Sequence, residues 1–232
     1  MVSEQEGRRR LLDAAQRLHA SGLNTGTAGN LSLRIPGGLL ITPSSLPCEQ
    51  MGPADLVAID PAGQELAAHG VGTQRPPSSE WRLHADLLVQ RPEIEAVVHC
   101  HSIHATALAC HGRGIPPFHY MVVQAGGPDI RCAGYATFGS QALSDLTLAA
   151  LADRQACLLA HHGQVALGAT LEQALALAVE VETLARMYLA ALQLGEPPRL
   201  TEDEMARVAE QMRLRHYGVL GHVSTAGAQA LS

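Results

Sequence analysis

No lysine occurs among the 232 residues, and all sixteen Lys+Arg positions are arginine. That absence removes mechanisms before any motif is found. An enzyme that forms an imine with its substrate needs a lysine amine, and so does a pyridoxal-phosphate enzyme. The phosphate loop GxxxxGK[ST] needs its lysine as well. Chemistry on carbonyls or phosphates must therefore draw on a metal, backbone N–H groups, hydroxyls or arginine. Aromatic residues are scarce too, at 3%. The core is then expected to be built of Leu, Ala and Val, with little to stack the bases of a single-stranded nucleic acid. A basic footprint is also missing: the formal net charge is −6, which argues against a nucleic-acid or anionic-membrane partner. The single basic run, Arg8, Arg9 and Arg10, opens a helical pattern and is expected to be solvated.

Paired cysteines are missing as well. The five, Cys48, Cys100, Cys110, Cys132 and Cys157, are odd in number and include no CxxC, which fits a reducing, cytoplasmic setting. The polar stretch Met1 to Arg10 carries no signal-peptide hydrophobic segment. The longest Ala- and Leu-rich stretch, 171–194, is interrupted by Glu172, Glu180, Glu182 and Arg186, so it is no membrane span. What remains is a chain with 47% hydrophobic residues. At this length it should bury roughly 70–75% of its unfolded surface without disulfide support.

The pattern is mixed. Leu11, Leu12, Ala15 and Leu18 share a helical face, and 24–30 is a glycine-rich break. Short strands are expected at 31–33, 39–42 and 56–60, and further ones at 95–100, 120–124 and 156–160. Ser78 and Ser79 can cap a helix from Glu80 to about Arg91, and another helix is expected over 103–110. A long helix over 171–194 ends at Gly195 and Pro197-Pro198, and Thr201–Glu204 opens a last one to about Arg215. No repeat or linker divides the chain, so one domain over 1–218 is expected, with a loose tail over 219–232.

Four polar clusters fall at the ends of these elements. In a strand, residues two apart face the same side, so His99 and His101 can point at one ion. His161-His162-Gly163 follows another apolar strand, and one of its two imidazoles can complete a three-ligand site with an open position. Ser78-Ser79-Glu80-Trp81 places a carboxylate at a helix start, where the dipole favours its charge and where it can act as ligand or general base. His84, one turn on, reads as packing or support. The fourth cluster joins 24–30 to 41–45: loops rich in Gly, Ser and Thr that can hold a phosphate with N–H and hydroxyl donors alone.

In this order the clusters resemble the class II aldolase/adducin family, most closely its fuculose-phosphate aldolase branch. The resemblance rests on Gly26-Thr27-Ala28-Gly29-Asn30, Ile41-Thr42-Pro43, Pro77-Ser78-Ser79-Glu80-Trp81-Arg82 and His99-Cys100-His101. Also matching are His119-Tyr120-Met121, Tyr135-Ala136-Thr137-Phe138-Gly139, His161-His162-Gly163 and Tyr217-Gly218. It implies an α/β fold, a three-layer α/β/α domain around a mixed, mostly antiparallel sheet, in a homotetramer with active sites between subunits. It makes His99, His101 and His162 the ligands of one zinc per subunit (manganese, cobalt or iron remaining open), and Glu80 the catalytic carboxylate that can also bind the metal. Gly29, Asn30, Ser44, Ser45, Ser78 and Ser79 match the positions that hold the substrate phosphate. Tyr120 matches a proton-donating tyrosine that enters the neighbouring subunit's site, and Tyr217 one that helps close the pocket. His104 and His161 are expected to support the ligands only.

The implied reaction is reversible cleavage of a ketose 1-phosphate into dihydroxyacetone phosphate and an aldehyde. Fuculose 1-phosphate is the default substrate, with deoxypentulose or methylthioribulose 1-phosphates as alternatives. A pentulose-5-phosphate 4-epimerase typically carries aspartate where this chain has Glu80. A methylthioribulose-1-phosphate dehydratase and a non-catalytic adducin-like scaffold share the same framework. Ser44-Ser45 departs from the usual Thr-Gly, and the segment 63–77 looks longer than usual.

Overall fold

The computed structural model describes residues 4–66, 75–215 and 217. The expected tail over 219–232 and most of the long 63–77 segment lie outside these residues. Seven strands form one sheet: β1 (Asn30–Ile35), β2 (Gly38–Ile41), β3 (Val57–Ile59), β4 (Ala96–Cys100), β5 (Arg131–Ala133), β6 (Ala156–Leu159) and β7 (Gly163–Gly168). Their order is β3-β2-β1-β4-β7-β6-β5. Every neighbouring pair is antiparallel except β5 and β6. The mixed, mostly antiparallel sheet expected from the sequence is therefore present.

Strand alternation sends side chains to two separate cores. On one face Leu31, Leu33, Leu40, Val98 and Ala166 pack with α1 (Glu4–Ala20), α3 (Ile103–Cys110) and α5 (Leu171–Leu192). On the other face Leu39, Ile41, Val97, Val165 and Leu167 pack with Leu83 and Leu87 of α2 (Trp81–Gln90), and with Ala150 at the end of α4 (Gln141–Ala150). These are the three layers. A last helix, α6 (Glu202–Leu214), starts where the Thr201 side chain accepts from the Glu204 N–H.

Several expectations change. The segment expected as a strand over 120–124 is a 3-10 helix, Tyr120–Ala125, started by His119, whose side chain accepts from the Met121 N–H, and ended by Gly126 at φ 88°. Val122, Val123 and Ala125 go into the core, so the β-branched pair is explained by burial and not by strand pairing. Ser79 does not cap α2. Glu80 holds the N-cap position, and Ser78 Oγ accepts from the Glu80 N–H at 3.3 Å. Arg8 is not solvated: it is 6% exposed and donates to the carbonyls of Pro53 and Leu56. The strands β5 and β7 and the helix α4 add to the elements expected from the pattern.

One face of β1 is polar throughout. Asn30, Ser32 and Arg34 all point toward α2, and Arg34 donates to the carbonyls of Leu88, Arg91 and Ile94 at and beyond the helix end. This stripe fixes α2 against β1, with the helix start beside the site.

Candidate active site

The antiparallel register of β4 and β7 pairs His99 with Val165 and Cys100 with Gln164. It brings His162, just before β7, beside the end of β4. His99, His101 and His162 converge, with one ligand nitrogen each and all three within 4.8 Å of one another. Their rings meet edge to face at centroid separations of 4.7–4.9 Å. His99 Nδ1 lies 2.9 Å from the Gln164 carbonyl. That oxygen can only accept, so the ring carries its proton on Nδ1 and turns the Nε2 lone pair inward. His99 Nε2 and His101 Nε2 stand 3.1 Å apart. In the metal-free site His101 Nε2–H can donate to the His99 lone pair, and with both lone pairs turned inward the two nitrogens would share a cation between them. A tetrahedral ion with ~2.0–2.1 Å bonds would space its nitrogens by about 3.3 Å.

Gly163 permits this convergence. A Cβ there would lie 2.5 Å from the Cys100 carbonyl oxygen and 3.0 Å from His101 Cδ2. His161 does not join the cluster. Its backbone is left-handed, φ 56°, and its ring lies edge-on to Tyr135. His104 turns instead to Glu182 at 2.7 Å.

Glu80 closes the open side. Its Oε2 lies 3.2 Å from His99 Nε2, and its Oε1 3.3 Å from His162 Nε2. Oε1 is buried without a hydrogen-bond partner, as an oxygen meant for an ion or a substrate would be. Burial works to raise the Glu80 pKa, but the imidazoles of His99 and His162 and the Asn30 amide outweigh it and hold the carboxyl well below the usual range. Burial pushes His162 down to about 4, and His101 likewise to about 4. Both imidazoles are neutral near pH 7, the form that can bind a metal. The donor set of three imidazoles and a carboxylate fits a divalent transition ion.

A cavity of about 350 Å³ opens from this cluster, lined among others by Gly29, Ser44, Ser45, Ser78, Ser79 and Glu80. The serine loops meet through an antiparallel bridge between Pro43 and Pro77. The Ser44 N–H bonds the Pro76 carbonyl, and the Ser78 N–H bonds that of Thr42. Asn30 lines the same cavity. It is 5% exposed, and its amide is committed at both ends, Nδ2 to Glu80 Oε2 at 2.9 Å and Oδ1 to His84 Nε2 at 2.5 Å. These bonds use one of the two Nδ2 hydrogens, and the second is left to serve a ligand in the cavity. Tyr120 and Tyr217 line a different cleft, against α6, because Tyr120 opens the 3-10 helix that packs on α6. Neither lines the cavity that holds His101 and His162. Tyr135, Phe138 and His161 do line the cavity. The sequence marked His161 as a support for the ligands, but its left-handed turn onto the cavity rim is visible only in three dimensions.

The model of the class II aldolase and adducin N-terminal domain family matches residues 9–189. The chain belongs to this family. Within it, the chain is 54% identical over 203 residues to the 5-methylthioribulose-1-phosphate/5-deoxyribulose-1-phosphate aldolase of Rhodospirillum rubrum, covering 88% of this chain and 89% of that protein. It is 45% identical over 206 residues to the L-fuculose phosphate aldolase of Escherichia coli strain K12, covering 88% and 93%. The solved structure of an L-fuculose 1-phosphate aldolase superposes with a TM-score of 0.85 at 35% identity, covering 92% of this chain and 98% of that one. No helix among the described residues is long and apolar enough to cross a membrane.

Proposed function

We propose that this class II aldolase, an aldehyde-lyase, reversibly cleaves a ketose 1-phosphate into dihydroxyacetone phosphate and an aldehyde, with residues 1–218 as the catalytic unit. The observation that carries the reading is the unpartnered Glu80 Oε1 beside three converging imidazoles, in a cavity rimmed by hydroxyl donors. His99, His101 and His162 would hold zinc, with Glu80 able to join them before substrate arrives. The ion would supply a sink for the negative charge that develops next to the ketone.

The chain's own groups do the rest. Ser44, Ser45, Ser78, Ser79 and the second N–H of the Asn30 amide, with the backbone at Gly29, would hold the phosphate by hydroxyl and N–H donors. In cleavage the C4 hydroxyl loses its proton and becomes the aldehyde carbonyl as the C3–C4 bond breaks. The bonding pair goes toward C3 and the ketone, and Glu80 returns a proton to C3. In condensation Glu80 removes that proton. Tyr120, outside the cavity at His101 and His162 of its own chain, would serve the site of a second copy and protonate the aldehyde oxygen. Tyr217 would help close the same shared pocket. A homotetramer in the cytoplasm completes this reading.

Among substrates, 5-deoxyribulose and 5-methylthioribulose 1-phosphates take first place and fuculose 1-phosphate second, following the higher identity to the Rhodospirillum rubrum enzyme. A panel of ketose 1-phosphates assayed for dihydroxyacetone phosphate release tests this, with pentulose 5-phosphates as the epimerase control. The expected result is release from a 1-phosphate and no 4-epimerisation. Glu80→Gln should retain metal and lose at least about 100-fold in kcat, the range for a removed general base. Full activity in that variant would sink the assignment.

A further inference from the structure

Four buried side chains make a single line of hydrogen bonds from β1 through α2 to the carboxylate. Ser32 Oγ lies 2.7 Å from His84 Nδ1, His84 Nε2 2.5 Å from Asn30 Oδ1, and Asn30 Nδ2 2.9 Å from Glu80 Oε2. Ser32 and His84 are each 0% exposed, Asn30 5% and Glu80 6%. Asn30 and Ser32 are two apart on one face of β1, while Glu80 and His84 are four apart along the start of α2, so the two pairs face each other across one interface.

The direction of the bonds follows from the far end. A carboxylate only accepts, so Asn30 must present its NH2 to Glu80 and its Oδ1 to His84. Oδ1 also only accepts, so His84 carries its proton on Nε2. The Nδ1 lone pair then accepts from the Ser32 hydroxyl. If the proton sat on Nδ1, the amide would turn round and set an oxygen against the carboxylate. Burial and the neighbouring His99 hold the His84 pKa down to about 3, which keeps the ring neutral.

We infer that Ser32 and His84 are positioning residues that act through Asn30 to hold Glu80 Oε2, leaving Oε1 as the oxygen presented to the substrate. The inference rests on the reading of Glu80 as the proton-transferring carboxylate. Neither residue lines the cavity; the sequence pattern marked His84 only as packing or support and did not mark Ser32.

Two experiments test it, and only one depends on activity. In zinc-loaded protein with 15N-labelled histidine, the His84 ring should be the neutral Nε2–H tautomer at pH 7 and at pH 5, with a slowly exchanging Nε2 proton. An Nδ1–H tautomer, or a protonated ring at pH 5, overturns the inference even if the substrate reading stands. In the kinetic arm, His84→Leu should lower kcat by about 10–100-fold, the usual cost of losing a supporting partner, with KM and metal stoichiometry near wild type. His84→Gln can donate to Asn30 Oδ1 from its amide and should recover most of that loss. Equal loss in both variants, or a loss that appears only in KM, would show a structural part and overturn it. Should no ketose 1-phosphate be cleaved by the wild type, the proposed function fails and the tautomer measurement still decides the network.

Discussion

Ser45 illustrates how much a single position on the cavity rim can carry. Its φ of 55° lies in the left-handed region, where a side chain costs about 1–2 kcal/mol relative to the right-handed one and glycine is indifferent. Ser45→Gly should therefore stabilise the fold by roughly 0.5–1 kcal/mol, part of the gain being lost to the freer unfolded chain. Urea denaturation checks it, and a destabilised variant would mean that the hydroxyl contributes more than the strain costs. The same substitution removes one proposed phosphate donor, so KM should rise while stability rises. At this scale much of the site was legible. His99 and His101 followed from strand alternation, and Glu80 and the serine loops from residue type at element ends. The roles proposed for Tyr120 and Tyr217 rest on family resemblance alone. Ser32 and His84 were not legible as a pair, because they lie 52 positions apart and meet only through the register of α2 on β1.

Among elements, the β4–β7 pairing decides whether the histidines meet. Gly163→Ala would push a methyl group into the Cys100 carbonyl and toward His101. Metal affinity should fall by about 10–100-fold, the order seen when ligand geometry is disturbed, with a smaller change in melting temperature. Zinc competition with a chromophoric chelator measures it, and unchanged affinity would show that β7 can shift without cost. Arg34 is the second element-scale lever. Its guanidinium serves three carbonyls around the α2 terminus, so Arg34→Leu should cost about 2–3 kcal/mol by leaving buried acceptors unpaired. Chemical denaturation reads this directly, and Arg34→Lys should recover only part of it, lacking the planar fork. Long patterns such as α5 and α6 were readable from period and caps. The three-residue β5 was too short to show a period, and the segment after His119 carried strand-like residues whose partner is a core and not another strand.

For the whole molecule, the buried neutral imidazoles make stability depend on pH. Burial brings His84 from the ordinary imidazole value of 6.5 to about 3, so between those values the unfolded chain binds a proton that the folded chain refuses. The unfolded state then holds more protons, and stability rises with pH through this window. The full contribution is present above about pH 6.5 and is lost progressively on acidification toward 3. His101 and His162 act in the same sense down to about 4. Metal-free protein should accordingly lose stability steeply below pH 6, and His84→Gln should flatten the curve relative to wild type. Parallel curves in equilibrium unfolding from pH 4 to 8 would contradict the assignment. The two-sided character of β1 has a practical corollary for anyone reshaping this catalyst. Its α2-facing positions hold no spare residue to mutate, because each is wired to a helix end or to the carboxylate. A library aimed at new aldehydes should leave that strand untouched and diversify the exposed rim at Tyr135 and Phe138, where turnover of side chains leaves the wiring intact.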